Sequence, residues 1–215
     1  MCDLYWNYFA MPAPDFSYEQ ALIDQGIENI AGIDEVGRGP LGGPVVVSAV
    51  ILDPGNIPEG LRDSKQMSAK KREAVFDAIL QSSFVSITSV SAQVIDRINI
   101  REATLLAMTR AANGLEVKPG WHLIDGNAIP KPLRGKADYV IKGDAKCLSI
   151  SAASIVAKVT RDRMMARAAE AYPGYGFEKH AGYGTPAHLA AIALQGPCAL
   201  HRMSFGPLKQ AAKAI

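Results

Sequence analysis

The sequence predicts an α/β fold in which a central mixed β-sheet is flanked by helices on both faces and followed by a C-terminal helical segment. Runs rich in Val and Ile recur at 30 to 34, at 44 to 52, in FVSITSVS at 84 to 91, and from Trp121 and Tyr139, with helical spacing between them. Such alternation is the pattern of helices laid on a sheet. Three of the runs also end in acids: Asp34 with Glu35, then Asp125, then Asp144. Strand ends are where sheets of this class gather their ligands.

Residues 1 to 29 read as an N-terminal extension that starts as a loose tail, with Met11, just ahead of Pro12 and Pro14, as an alternative start. Residues 30 to 215 are expected to form one domain whose helical C-terminal part begins near 185. IAGID at 30 to 34 and PVVVSAVIL at 44 to 52 are neighbouring strands separated by a Gly/Pro turn. Ser68 can cap a helix that runs to about Gln81, because Val75, Phe76, Ile79 and Leu80 recur on one face. FVSITSVS alternates as a half-buried strand should, and a helix near 101 to 113 comes after it. WHLIDG supplies a short buried strand ending in Asp125, and YVIKGD another ending in Asp144. SISAASIVAKVTRDRMMARAAEAY, at 149 to 172, is a long helix whose Ala and Ser face suits close packing on the sheet. A loop of Gly, Tyr and Pro then leads to a short helix near 187 to 194.

The composition is that of a folding globular chain, with 48% apolar and 20% charged residues. A net charge of +2 neither requires nor excludes a nucleic-acid partner, since such proteins need a local basic face more than a global excess. Cys2, Cys147 and Cys198 are odd in number and far apart, which speaks against a disulfide framework or a zinc site and suits a reducing cytoplasm. His122, His180, His188 and His201 lack metal-binding spacing, and His122 is expected to be a packed or edge residue. No stretch suits a membrane helix, and the opening residues make a poor signal peptide.

A single acid at a strand end is ordinarily a solvated turn residue or a helix cap. Three such places in one sheet suggest a shared pocket instead. Carboxylates about 4 Å apart repel by roughly 4 kcal/mol per pair at an effective dielectric of 20, and divalent cations remove that conflict. Oxygen donors without His or Cys select hard ions, Mg²⁺ or Mn²⁺, and such ions partner phosphate esters. Two of them about 4 Å apart support in-line phosphodiester hydrolysis, although phosphatases and sugar-phosphate enzymes use acid clusters too.

Together the segments IDEVGRGPLGGPVV (33 to 46), RDSKQMS (62 to 68), LIDGN (123 to 127), KGDAKCLSISAASIVAKVTRD (142 to 162), HAGYGTPAHL (180 to 189) and HRMSF (201 to 205) resemble the ribonuclease HII family, the prokaryotic type 2 ribonucleases H, in family order. The resemblance spans about 30 to 207 and implies a ribonuclease H-like fold. It further implies that Asp34, Glu35, Asp125 and Asp144 hold two catalytic Mg²⁺ or Mn²⁺ ions, that Gly37, Arg38 and Gly39 recognise the ribonucleotide beside the scissile phosphate, and that Tyr183 stacks beneath the sugar at the RNA-to-DNA junction. The implied activity is cleavage on the 5′ side of ribonucleotides in RNA–DNA hybrids and of single ribonucleotides in duplex DNA, leaving 3′-hydroxyl and 5′-phosphate ends. That points to a cytoplasmic monomer serving ribonucleotide removal.

The residue types suit those roles. Glycines flanking Arg38 let backbone approach a sugar whose 2′-hydroxyl both donates and accepts, and a loop tyrosine offers a flat apolar surface. Without the family, Gly37 to Gly39 read as a tight turn and Tyr183 as a loop anchor. Lys65, Lys142 and Arg202 are candidate phosphate contacts, with solvated surface as the alternative for Lys65 and Arg202. Lys146, Lys158, Arg161 and Arg163 can extend a basic rim or form an ordinary soluble face. Met203 stands where the family often has a second Arg. Residues 1 to 29 show no extra module of the kind that the type 3 enzymes carry. The competing functions are a catalytically inactive duplex-binding protein of the same fold and a small-molecule phosphatase.

Overall fold

The computed structural model describes residues 13–62, 64, 67–206 and 208–209. In chain order they form α1 (Ser17–Ile23), β1 (Ile30–Val36), β2 (Val45–Leu52), α2 (Ala69–Ser82), β3 (Ser83–Val90), α3 (Ala92–Asn113), β4 (Trp121–Asp125), β5 (Ala137–Val140), α4 (Leu148–Ala171), α5 (Phe177–His180) and α6 (Pro186–Gln195). The strands make one mixed sheet in the order β3-β2-β1-β4-β5. β1 runs antiparallel to β2 and parallel to β4, so the C-terminal ends of β1 and β4 lie at the same edge.

Burial explains the sequence patterns. Every residue of β2 is buried because both faces of that strand are covered, which is why it reads as an unbroken apolar run. β3, at the sheet's edge, keeps only the alternation. On one face Ala103, Ala107, Met108 and Ala111 of α3 pack against Ala31, Ile33, Val47 and Ile124. On the other, α2 and α4 cover Val50 and Leu52. Gly32 lets α4 come this close: a Cβ there would strike the backbone of Ser149 and Ile150. The run of Ala and Ser in α4 is the other half of that contact. Glu19 of α1 secures the start of α4, its Oε1 accepting from the Ser149 amide (2.8 Å) and hydroxyl (2.5 Å).

Two expectations need correction. The helix expected near 101 to 113 is only the second part of α3, which begins at Ala92 and bends at Asn99 (φ 66°, ψ 164°). Asn99 Oδ1 accepts from the Glu102 amide at 3.0 Å, so the second part has its own cap. The strand expected through YVIKGD stops at Val140. Lys142 takes a left-handed conformation (φ 56°), and Asp144 sits on the one-turn 3₁₀ helix Gly143–Ala145 rather than on a strand. The helices α1 and α5 occupy stretches in which the sequence predicts an extension and a loop.

Candidate active site

Sheet register brings the acids to one edge. Ile33 pairs with Ile124, which sets Asp34 and Asp125 one residue further along on adjacent parallel strands. Since Ile33 and Ile124 face α3, alternation turns Asp34 and Asp125 toward α4. The turn that carries Asp144 leads into that same helix, and the Gly143 amide donates to Asp125 Oδ1 at 2.6 Å. Glu35, the next residue after Asp34, comes from the α3 side. With Arg38, Arg101, Thr104, Asp125 and Asn127 it lines a cavity of about 70 Å³.

Asp34 and Asp144 are buried. Burial pushes the Asp34 carboxyl well above the usual range, and the charges of Glu35 and Asp125 push it further; the Ser154 hydroxyl and the Glu35 amide, 2.7 Å from Oδ1, act the other way. Burial also raises Glu35, opposed by the Arg38 guanidinium, whose Nη1 lies 3.3 Å from Oε1, while Asp125 adds to the rise. The mutual repulsion places Asp34, Glu35 and Asp125 within reach of one another's charge. Among the described residues no set of three or more His, Cys, Asp and Glu side chains is already gathered as a metal cage. The donor chemistry nevertheless fits a hard divalent cation: oxygen ligands only, on acids of which Asp34 and Asp144 are buried, with Arg38 beside Glu35.

The substrate candidates separate into three groups. Gly37 (φ 91°), Arg38 and Gly39 form the turn directly after β1, and a Cβ on Gly39 would lie 3.8 Å from the Tyr183 ring. That ring is 47% exposed beside the turn, so both elements present themselves on the surface that borders the acids. Lys142 is exposed two residues from Asp144. Lys65 lies outside the described residues. Arg202 corrects the expectation of a phosphate contact: it is fully buried, and its donors go to the carbonyls of Gly37, Arg38 and Gly43. Arg161, read from the sequence as part of a basic rim or of an ordinary soluble face, is on neither: it is fully buried, donating to Pro44 and Gly42 carbonyls. Lys158 pairs with Asp162 and Arg163 with Glu73. His122 is buried with Nδ1 on the Lys136 carbonyl at 2.9 Å, as a packed residue should be.

Sequence reasoning missed Ser154, Arg101 and Thr104. Ser154 faces Asp34 and meets the Ser64 hydroxyl at 2.9 Å, tying Ser64 to the acid edge. Its signal was hidden in an Ala/Ser run that packing alone explains. Arg101 and Thr104 enter the site because α3 bends at Asn99, which the helical period does not announce.

The comparisons with known proteins agree with the fold. The family model described as Ribonuclease HII matches residues 31–207. A ribonuclease HII of Agrobacterium fabrum is 56% identical over 197 residues, 92% of this chain and 91% of that protein. One of Brucella ovis is 54% identical over 204 residues, 94% and 93% of the two chains. Among solved structures, ribonuclease H2 of Pyrococcus horikoshii superposes with a TM-score of 0.75 at 27% identity, covering 86% of this chain and 98% of its own. The RNase HII in a complex with PCNA from Archaeoglobus fulgidus gives 0.71 at 28% identity, covering 83% and 95%. A family match across most of the length, joined to relatives that are more than half identical over nine-tenths of both chains, means that the chain belongs to the ribonuclease HII family.

Proposed function

We infer that this ribonuclease H endonuclease hydrolyses the phosphodiester on the 5′ side of ribonucleotides, both in RNA–DNA hybrids and at single ribonucleotides embedded in duplex DNA, leaving 3′-hydroxyl and 5′-phosphate ends. The observation that carries this reading is the adjacency of two unlike devices at one sheet edge. The acids Asp34 and Asp125 lie side by side near the C-terminal ends of neighbouring parallel strands, and the Gly37 to Gly39 turn lies immediately beyond β1 against the exposed Tyr183 ring. The first device suits phosphate chemistry and the second suits a sugar.

Asp34, Glu35, Asp125 and Asp144 are the residues that would hold Mg²⁺ or Mn²⁺. Bound divalent cations supply the Lewis acidity and charge compensation that in-line displacement at phosphorus needs. Arg38 steadies Glu35 from outside the cluster, and Ser154 orients Asp34 from beneath it. The backbone around Gly37 and Gly39 tests for the 2′-hydroxyl, a group that only the ribose offers. Tyr183 supports the sugar at the junction with the following deoxynucleotide, and exposed Lys142 meets backbone phosphate. This activity belongs to ribonucleotide removal from DNA during replication and excision repair, by a monomer in the cytoplasm, where the free thiols of Cys147 and Cys198 stay reduced. Among the described residues no helix is long and apolar enough to cross a membrane.

The test is a duplex with one embedded ribonucleotide, incubated with Mg²⁺ or Mn²⁺ and then with a chelator. A single metal-dependent cut 5′ of the ribonucleotide is expected. Binding without cutting would favour an inactive duplex-binding protein, and turnover of soluble phosphomonoesters that is indifferent to duplex competitors would favour a phosphatase.

A further inference from the structure

Two surface elements carry the ribonucleotide reading, the 37 to 43 turn and the Tyr183 loop, and they are 140 residues or more apart in sequence. Their relative position is set from behind by a third segment whose key side chains are buried. His201 and Arg202 are 3% and 0% exposed. Gly42 forms an antiparallel bridge with His201, the Gly43 amide donates to the Leu200 carbonyl (2.8 Å), and the Arg202 amide donates to the Leu41 carbonyl (2.8 Å). The Arg202 side chain then spans the turn, with Nη2 on the Gly37 carbonyl (2.6 Å), Nη1 on Arg38 (2.9 Å) and Nε on Gly43 (3.0 Å).

The same segment reaches the Tyr183 loop through histidines. The Cys198 amide donates to His201 Nδ1 at 2.8 Å, which leaves the Nε2 proton of His201 to donate to His188 Nε2 at 3.1 Å. The Nδ1 proton of His188 then donates to the Tyr183 carbonyl at 2.9 Å. Each ring is neutral and each tautomer is dictated by the next partner, so the line holds one arrangement. Turn and loop close the circuit directly, the Leu41 and Gly42 amides both donating to the Gly182 carbonyl (2.8 and 3.2 Å). A Cβ on Gly182 would fall onto the Gly42 carbonyl, and φ there is 82°, so this contact admits only glycine.

The geometry points to His201 and Arg202 as positioning residues for substrate selection: together they hold the 37 to 43 turn and Tyr183 at one fixed spacing, which acts as a gauge for a ribose at the junction. A guanidinium buried on three carbonyls, with no carboxylate among its hydrogen-bond partners, is a costly arrangement. Its return is a turn whose amides and carbonyls cannot shift when a deoxyribose arrives. The inference rests on the reading that the Gly37 to Gly39 turn and Tyr183 recognise the ribonucleotide.

The test compares the wild-type protein with Arg202→Gln on duplexes of one sequence, with and without a single ribonucleotide. The brace predicts a KM for the ribonucleotide duplex raised about tenfold or more, the size of losing hydrogen-bonded preorganisation. Affinity for the all-DNA duplex and the slope of its logarithm against log salt should stay as in the wild type. A slope smaller by about one would instead mark Arg202 as a phosphate contact and overturn the inference. An unchanged KM would do so as well. Should the variant fail to fold, amide exchange on the wild-type protein decides: the amides of Leu41, Gly43 and Arg202 should open together with one protection factor, and free exchange at Arg202 beside protected Leu41 and Gly43 would overturn the brace. Lack of cleavage by the wild-type protein would count against the functional reading, and the exchange result tests the brace independently of it.

Discussion

Asp34 shows at the scale of one residue how much this site costs the fold. Burial, with the charges of Glu35 and Asp125 added to it, raises its carboxyl well above the usual range, so the negative charge is disfavoured where it sits. Asp34→Asn should therefore lower kcat/KM at least about a hundredfold while leaving the melting temperature equal or higher; near-wild-type turnover would contradict its role. Tyr183 is the converse, an exposed ring whose removal costs little structure. Tyr183→Ala should reduce junction cleavage at least about tenfold, as loss of a stacking surface does, with unfolding free energy changed by no more than about 1 kcal/mol. Both residues are singled out at the level of sequence, Asp34 by its place at the end of an apolar run and Tyr183 through the family resemblance. The buried role of Arg202 is not legible there. A basic residue in a polar tail reads as surface, and only the tertiary packing of Gly37, Arg38 and Gly43 carbonyls around it reveals a buried brace.

At the scale of elements, β1, β2, β3 and β4 were readable from periodicity, since burial on two faces and on one face leave different patterns. The bend in α3 and the early stop of β5 were not, because each depends on one backbone conformation, at Asn99 and Lys142, that no apolar period encodes. Asn99 occupies a region of φ and ψ that normally belongs to glycine, and its side chain caps the second part of α3. Asn99→Ala keeps the strain and loses the cap, so urea denaturation should show a loss of about 1–2 kcal/mol, and Asn99→Gly should lose less. The histidine line between α6 and the C-terminal segment responds to pH. Burial lowers His188 and brings His201 down to about 4, with His188 also disfavouring charge on His201. An unfolded histidine binds its proton near 6.5, so between pH 6.5 and about 4 the unfolded chain holds more protons than the folded one. Stability is then fully present above about 6.5 and declines as pH falls through that window, by up to about 1.4 kcal/mol per pH unit for one proton. The raised carboxyls of Asp34 and Glu35 act the opposite way over the same range, so the check is the difference between proteins: in urea titrations from about pH 7 to about 4 the wild type should lose stability relative to His201→Gln, and parallel profiles would contradict the neutral pair.

For the whole molecule, the parallel pairing of β1 with β4, where the antiparallel half of the sheet meets the parallel half that β5 continues, is what brings acids 91 residues apart side by side. α4 then delivers Ser154 from the opposite side of the same edge, and α1 anchors the start of α4 through Glu19. The α/β class was visible in the alternation of strand and helix signals, whereas strand order and the close approach at Gly32 depend on distant segments meeting. The account stands on the convergence of Asp34, Glu35, Asp125 and Asp144 on shared cations. Crystals of the protein with Mn²⁺ and a ribonucleotide-containing duplex that resists cleavage would report this through anomalous scattering. The account predicts two peaks about 4 Å apart, with all four carboxylates in contact with one or the other; ions bound elsewhere, or any of the four side chains turned away from both, would contradict it.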